Sequence, residues 1–137
     1  MTDREGEKAG LSAMAEIGRA CGLENVPAQP AAYLGAFEQN VARVTEAYSV
    51  LAAHGMRRPS FLIERIDDAS GSILFKAASK PRRVLDPGLS WLVTTGLAKV
   101  MEKGGTGAGA KSMGFSKPSA GKTGTTNDYR DAWFVGY

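Results

Sequence analysis

A chain of 137 residues with 43% hydrophobic and 23% charged residues suits one globular domain or a piece of one, and is too apolar to be disordered. The net charge of +3 is scattered, with only Arg57-Arg58 and the stretch from Lys80 to Arg83 locally basic. That pattern argues for a solvated surface, against nucleic-acid binding, and is compatible with an anionic ligand.

Positions Leu11, Met14, Ala15, Gly18 and Cys21 recur at helical spacing, so Glu7 to Leu23 is predicted as a helix with Gly22 as its stop. Cys21 is the sole cysteine. It is expected as a small core residue, with no intrachain disulfide and no cysteine metal cluster. A loop with two prolines follows from Val26 to Pro30. Asn40 then caps a second helix, Val41 to His54, with Gly55 beyond it and an apolar stripe of Val41, Val44, Tyr48, Leu51 and Ala52. His54, the sole histidine, reads as a helix-end residue rather than a ligand or base.

Phe61 to Ile66 is predicted as a strand, Asp67 to Gly71 as a turn and Ser72 to Lys76 as the return strand. Ala77 to Arg83 is a polar connection. Asp86 and Pro87 supply an N-cap and a first-turn proline for a third helix that Gly104 closes, with Trp91, Leu92, Thr95, Ala98 and Met101 or Glu102 at helical spacing. Gly96 within it costs about 1 kcal/mol relative to alanine, which suggests close packing there. Gly104 to Ala110 reads as a plain glycine-rich connector, because Ala110 stands where a Gly-x-Gly-x-x-Gly loop needs its third glycine. Lys111 to Pro118 continues as loop. No run is apolar enough for a membrane span or a signal peptide. Runs of helices with antiparallel hairpins give an α+β class.

The chemistry gathers at Lys122-Thr123-Gly124-Thr125-Thr126. This stretch is predicted as a strand, with Asn127 to Arg130 as a polar turn and Ala132 to Tyr137 as the returning strand. Alternate strand residues share a face, so Thr123 and Thr125 point one way and Lys122 and Gly124 the other. Two hydroxyls about 7 Å apart suit a carboxylate, the Lys122 ammonium favours an anion, and Gly124 admits another backbone. Gly121-Lys122-Thr123 also matches the tail of a Walker A loop. That loop needs a glycine where Ser116 stands, and must open a helix rather than a strand.

Ala120-Gly121-Lys122-Thr123-Gly124-Thr125-Thr126, followed by Asp131-Ala132-Trp133-Phe134-Val135-Gly136-Tyr137, resembles the third motif region of penicillin-binding proteins and serine β-lactamases. It is most similar to the transpeptidase domain of class A, bifunctional penicillin-binding proteins. Leu34-Gly35, Ala47-Tyr48, Ala53-His54-Gly55 and Gly105-Thr106-Gly107 occur in the family's order. The resemblance runs from about Gly18 to Tyr137. It implies a partial transpeptidase fold of helices packed on an antiparallel sheet, truncated at both ends, with residues 1–137 as its C-terminal part and 1–17 poorly aligned.

It further implies that Lys122, Thr123, Gly124 and Thr125 form the site for a D-alanyl-D-alanine stem peptide or a β-lactam, with Thr123 and Thr125 binding its carboxylate and Lys122 supporting proton traffic and the positive potential. Lys122 is placed behind the cleft, the backbone N–H of Thr125 is one oxyanion donor, and Asp131 and Trp133 hold the hairpin. The family's nucleophile belongs to Ser-x-x-Lys and a second motif is Ser-x-Asn. The one Ser-x-x-Lys here is Ser119-Ala120-Gly121-Lys122, at a strand entry rather than a helix start, and Ser-x-Asn is absent. No catalytic residue is therefore assigned in this chain, and no cofactor or metal. The expected parent sits at the bacterial cytoplasmic membrane with this domain on the outer side, beside the missing half of the domain and a glycosyltransferase domain. A non-catalytic D-alanyl or β-lactam-binding module and an inert gene remnant remain open as alternatives.

Overall fold

A computed structural model describes residues 3–126 and 131–137. Helix α1 (Asp3–Cys21) and a 3-10 turn (Pro30–Leu34) lead to α2 (Val41–Ala52). Four short strands follow: β1 (Met56–Arg57), β2 (Arg65–Asp67), β3 (Ile73–Lys76) and β4 (Arg82–Arg83). Helices α3 (Pro87–Lys99) and α4 (Gly109–Ser112) precede the hairpin of β5 (Gly121–Thr125) and β6 (Ala132–Gly136). The strands form three antiparallel pairs, β1–β4, β2–β3 and β5–β6. The α+β class holds, with the strands among the described residues in separate pairs rather than one sheet.

The predicted caps are present. Asn40 Oδ1 accepts the Arg43 N–H at 2.9 Å, and Asp86 Oδ1 accepts those of Gly88 and Leu89 at 2.8 and 3.1 Å. Helix ends differ by a few residues. α1 begins at Asp3 and stops at Cys21, α2 stops at Ala52, and α3 stops at Lys99. Past α2 the chain turns through two left-handed residues, His54 at φ +51° and Gly55 at φ +87°. Glycine is required at the second: a Cβ on Gly55 would lie 2.2 Å from the Leu85 carbonyl oxygen. That close approach lets Gly55 O accept from Val84 and Leu85 N–H, which sets β4 beside β1.

Leu85 thereby joins Cys21 and Val50 in the core, flanked by Ala47, Leu51 and Val84. Burial on α2 and α3 differs from what the spacing alone suggests. Val41 and Ala52 of the predicted α2 stripe are exposed, and Glu46 and Val50 are the buried pair instead. On α3, Trp91 and Leu92 face solvent, while Ser90 and, past the helix end, Met101 are buried. Gly96 is not closely packed, because a Cβ there would meet nothing within 4 Å.

Two strand expectations also change. The strand predicted from Phe61 shrinks to Arg65–Asp67, because the Ser60 N–H and hydroxyl both bond Glu46 Oε2 and tie the chain to α2. Ala77 to Arg83, expected as connection only, contains β4. The predicted turn between β2 and β3 is present, with Asp68 Oδ1 accepting from Ser70 N and Ser72 N at 2.8 and 2.9 Å.

Glu46 is the joint between α1, α2 and β1. Its Oε1 accepts from Arg57 Nε and Nη2, each at 2.7 Å, and its Oε2 accepts from the Ser60 hydroxyl at 2.9 Å. Arg57 Nη1 also donates to the Ala20 carbonyl near the end of α1 at 3.3 Å. Burial alone pushes the Glu46 carboxyl upward. The hydrogen bonds from Arg57 and Ser60, with the Arg57 charge, outweigh it and hold the group below its ordinary value.

Candidate functional site

The hairpin register is regular: Gly121 faces Gly136, Lys122 Val135, Thr123 Phe134, Gly124 Trp133 and Thr125 Ala132. Ala120 and Tyr137 exchange both backbone hydrogen bonds, at 2.8 and 2.9 Å, and the Thr126 N–H donates to the Asp131 carbonyl at 3.1 Å. Antiparallel ladders alternate bonded and non-bonded pairs. Positions 122 and 124 therefore bond to β6, and the N–H and C=O groups of Thr123 and Thr125 point away from it. No strand lies along that other edge of β5 among the described residues. Lys122, Gly124 and Thr125 are exposed and Thr123 is half-buried, so the stretch is open to solvent.

Glycines fix the base of this strand. A Cβ on Gly121 would lie 2.4 Å from the Phe134 ring, and one on Gly136 would lie 2.6 Å from it. The ring thus lies across this cross-strand glycine pair, on the face that carries Thr123 and Thr125. Gly124 differs: a Cβ there would meet only the Trp133 Cβ, at 3.8 Å. The fold does not need glycine at 124. Below the hairpin, Ala120 is buried, and the Tyr137 hydroxyl lies 2.7 Å from Thr94 Oγ1 on α3. The hairpin is therefore moored to α3 at its closed-packed end.

Thr123 and Thr125 stand on one face and Lys122 and Gly124 on the other, as the alternation requires. The Lys122 ammonium donates to the Thr123 carbonyl at 2.6 Å, beside the strand's open edge. Asp131 closes the ladder: its N–H donates to Thr126 Oγ1 at 2.8 Å. Trp133 is opposite Gly124 and half exposed. The predicted turn, Asn127 to Arg130, lies outside the described residues. Ser119 precedes β5 rather than opening a helix, and its hydroxyl is buried without a hydrogen-bond partner, so it is unsuited to act as a nucleophile.

One participant was not anticipated. Thr106, in the loop expected to be a plain connector, places its Oγ1 2.7 Å from Thr123 Oγ1. The sequence signal was the single side-chain hydroxyl between two glycines, which periodicity does not register. An apolar cleft of about 530 Å³ lies elsewhere, between α2 and β6, and contains none of residues 121–125. The polar edge of β5 is the better candidate for an anion, since it combines a cation, hydroxyls and outward N–H groups.

Comparison with known proteins identifies the family. Residues 29–137 match the family model of the penicillin binding protein transpeptidase domain. Penicillin-binding protein 1B of Vibrio cholerae is 33% identical over 107 residues, covering 78% of this chain and 14% of that protein. Penicillin-binding protein 1A of Neisseria lactamica is 38% identical over 109 residues, covering 76% and 13%. Penicillin-binding protein 1A of Aquifex aeolicus is 33% identical over 131 residues, covering 96% and 18%. The chain thus spans less than a fifth of the length of these relatives. The crystal structure of penicillin-binding protein 1A from Haemophilus influenzae superposes with a TM-score of 0.80 at 25% identity, covering 94% of this chain and 25% of that one. The partial α+β fold, the Lys-Thr-Gly strand on an open edge and these matches converge, and the chain belongs to the transpeptidase family of class A penicillin-binding proteins.

Proposed function

We propose that this chain supplies the carboxylate-binding edge of a D,D-transpeptidase site, as the C-terminal part of a transpeptidase domain. The substrate class is a D-alanyl-D-alanine stem peptide, and a β-lactam is its mimic. Thr123 and Thr125 donate hydroxyl protons to the ligand carboxylate, and Lys122 supplies positive potential. Gly124 leaves room for the ligand backbone. The Thr125 N–H is one of two oxyanion donors, where a single donor is typically worth about 10²–10³ in rate. The observation that carries this reading is the ladder alternation, which turns the Thr123 and Thr125 amides toward an edge that no described strand covers.

Acyl transfer also needs a nucleophile and a base beside those donors. The one Ser-x-x-Lys of the sequence begins at Ser119, whose hydroxyl is buried. The chain alone is therefore read as binding without acylating, and the whole protein as cross-linking peptidoglycan by a serine acyl-enzyme on the outer side of the bacterial membrane. Multidomain parentage, with a glycosyltransferase domain, belongs to the same reading.

The test has two arms. Incubation with a fluorescent penicillin and denaturing electrophoresis should give no labelled band, and a covalent band would refute the non-acylating reading. Titration of the ¹⁵N-labelled chain with N-acetyl-D-alanyl-D-alanine should move the Thr123 and Thr125 amides saturably. Shifts confined to the α2–β6 cleft would place the ligand elsewhere and sink the proposal.

A further inference from the structure

Thr106 sits in a loop that has little freedom. A Cβ on Gly105 would lie 2.3 Å from the Val100 carbonyl oxygen and 2.5 Å from that of Lys99. A Cβ on Gly107 would lie 2.7 Å from the sulfur of Met101, a buried residue. The Gly107 N–H donates to the Val100 carbonyl at 2.9 Å, and the Gly105 N–H to Glu102 at 2.9 Å. The loop is thus folded tightly onto the end of α3: Gly105 must be bare against two backbone carbonyls, and a side chain at 107 would press on Met101 and come within 3.2 Å of the Val100 carbonyl oxygen. Between these two glycines position 106 carries a hydroxyl side chain, and it reaches Thr123.

We infer that Thr106 is a positioning residue for Thr123, holding its hydroxyl so that the proton points at a bound carboxylate. This rests on the reading of Thr123 as a carboxylate donor. Each threonine hydroxyl has one proton and two lone pairs, and an ionised carboxylate only accepts. At an Oγ1–Oγ1 separation of 2.7 Å, one of the two protons occupies the bond between them. If Thr123 donates to Thr106, its proton is spent and the ligand meets lone pairs. If Thr106 donates to Thr123, the Thr123 proton is free for the anion. A bound carboxylate selects the second polarity and makes a chain, Thr106 O–H to Thr123 O–H to carboxylate, in which each bond strengthens the next. Thr106 touches no ligand atom in this scheme. It acts through Thr123, and glycines on both sides of it fix its aim.

The experiment measures binding of N-acetyl-D-alanyl-D-alanine and of its C-terminal amide to the full chain by amide chemical shifts. Thr106→Val and Thr106→Ala remove the hydroxyl from an exposed position, so far-UV circular dichroism should match wild type. Both should weaken the acid about 3–10-fold, the range of one net hydrogen bond, and change the amide less than about twofold, because the charge-assisted bond is what they lose. Thr106→Ser should recover most of the acid affinity. In a Thr123→Val background, Thr106→Val should have no further effect. Acid binding unchanged in Thr106→Val overturns the role of Thr106 and leaves that of Thr123 standing. Equal loss for acid and amide, or no recovery in Thr106→Ser, marks a merely structural residue and overturns it too. Wild type that fails to bind the acid overturns the reading of Thr123 and this inference together.

Discussion

Replacing Arg57 by methionine keeps a long apolar stem but removes the guanidinium that faces Glu46. The Glu46 side chain is 1% exposed and Arg57 is 21% exposed. After the substitution Oε1 loses both of its 2.7 Å partners. Oε2 keeps Ser60, and Arg43 Nη1 remains at 3.6 Å. Breaking a fully buried ion pair costs about 3–5 kcal/mol. The exposure of Arg57 and the persistence of Arg43 place this case near the lower bound, at about 3 kcal/mol, a large share of the roughly 5–15 kcal/mol that holds a domain together. Glu46→Met with Arg57→Met removes both charges, and should return to within about 1 kcal/mol of wild type.

The pH dependence follows from the sign. In wild type the Glu46 carboxyl lies below its ordinary value, so its contribution is complete above the unfolded value near 4.3 and fades as pH falls through the folded one. Without Arg57, burial dominates and raises the carboxyl, so acid protonates it readily and the deficit narrows. Urea unfolding followed by circular dichroism at pH 7 and pH 4 reads both effects. A single variant that loses less than about 1 kcal/mol at pH 7, or a double variant as weak as the single one, would refute the argument.

The two motif glycines should separate folding from binding. Gly121→Ala collides with the Phe134 ring at 2.4 Å and the Val135 carbonyl at 2.6 Å, and should lose about 1–3 kcal/mol of stability in urea. Gly124→Ala meets only ordinary contact, so it should unfold like wild type while binding N-acetyl-D-alanyl-D-alanine more weakly; equal binding would remove the glycine from the site. Burial pushes the Cys21 thiol up, against a smaller lowering by Arg57. Its reaction with a disulfide reagent at pH 8 should therefore follow global unfolding, and rise with urea as the circular dichroism falls; rapid labelling of the native chain would contradict the core placement.

What the sequence made legible was what repeats or caps. The β5–β6 pairing followed from β-branched and aromatic runs, and the starts of α2 and α3 from Asn40 and Asp86-Pro87. Contacts between distant single residues were not legible. Glu46 sits on a helix where a charge reads as solvent-facing, and nothing in the spacing pairs it with Arg57 eleven residues on. Thr106 and Thr123 stand 17 positions apart, with mostly loop between them. The β1–β4 pair is two residues long, too short for an alternating pattern, and exists because Gly55 accepts the approach of Leu85. Trp91 and Leu92 carried a helical pattern, yet no described element covers them.

The alternation along β5 makes the edge sensitive to reading frame. Which amides look outward is decided by parity along the strand, not by side-chain identity. Inserting one residue between Ala120 and Thr123 while the Ala120–Tyr137 pair is kept would turn the amides of the displaced threonines inward and present their neighbours instead. A two-residue insertion would restore the parity but carry the hydroxyls about 7 Å along the strand, out of reach of a loop that cannot follow. The outward aim of these amides should therefore survive exchange of the exposed side chains far better than any change in length.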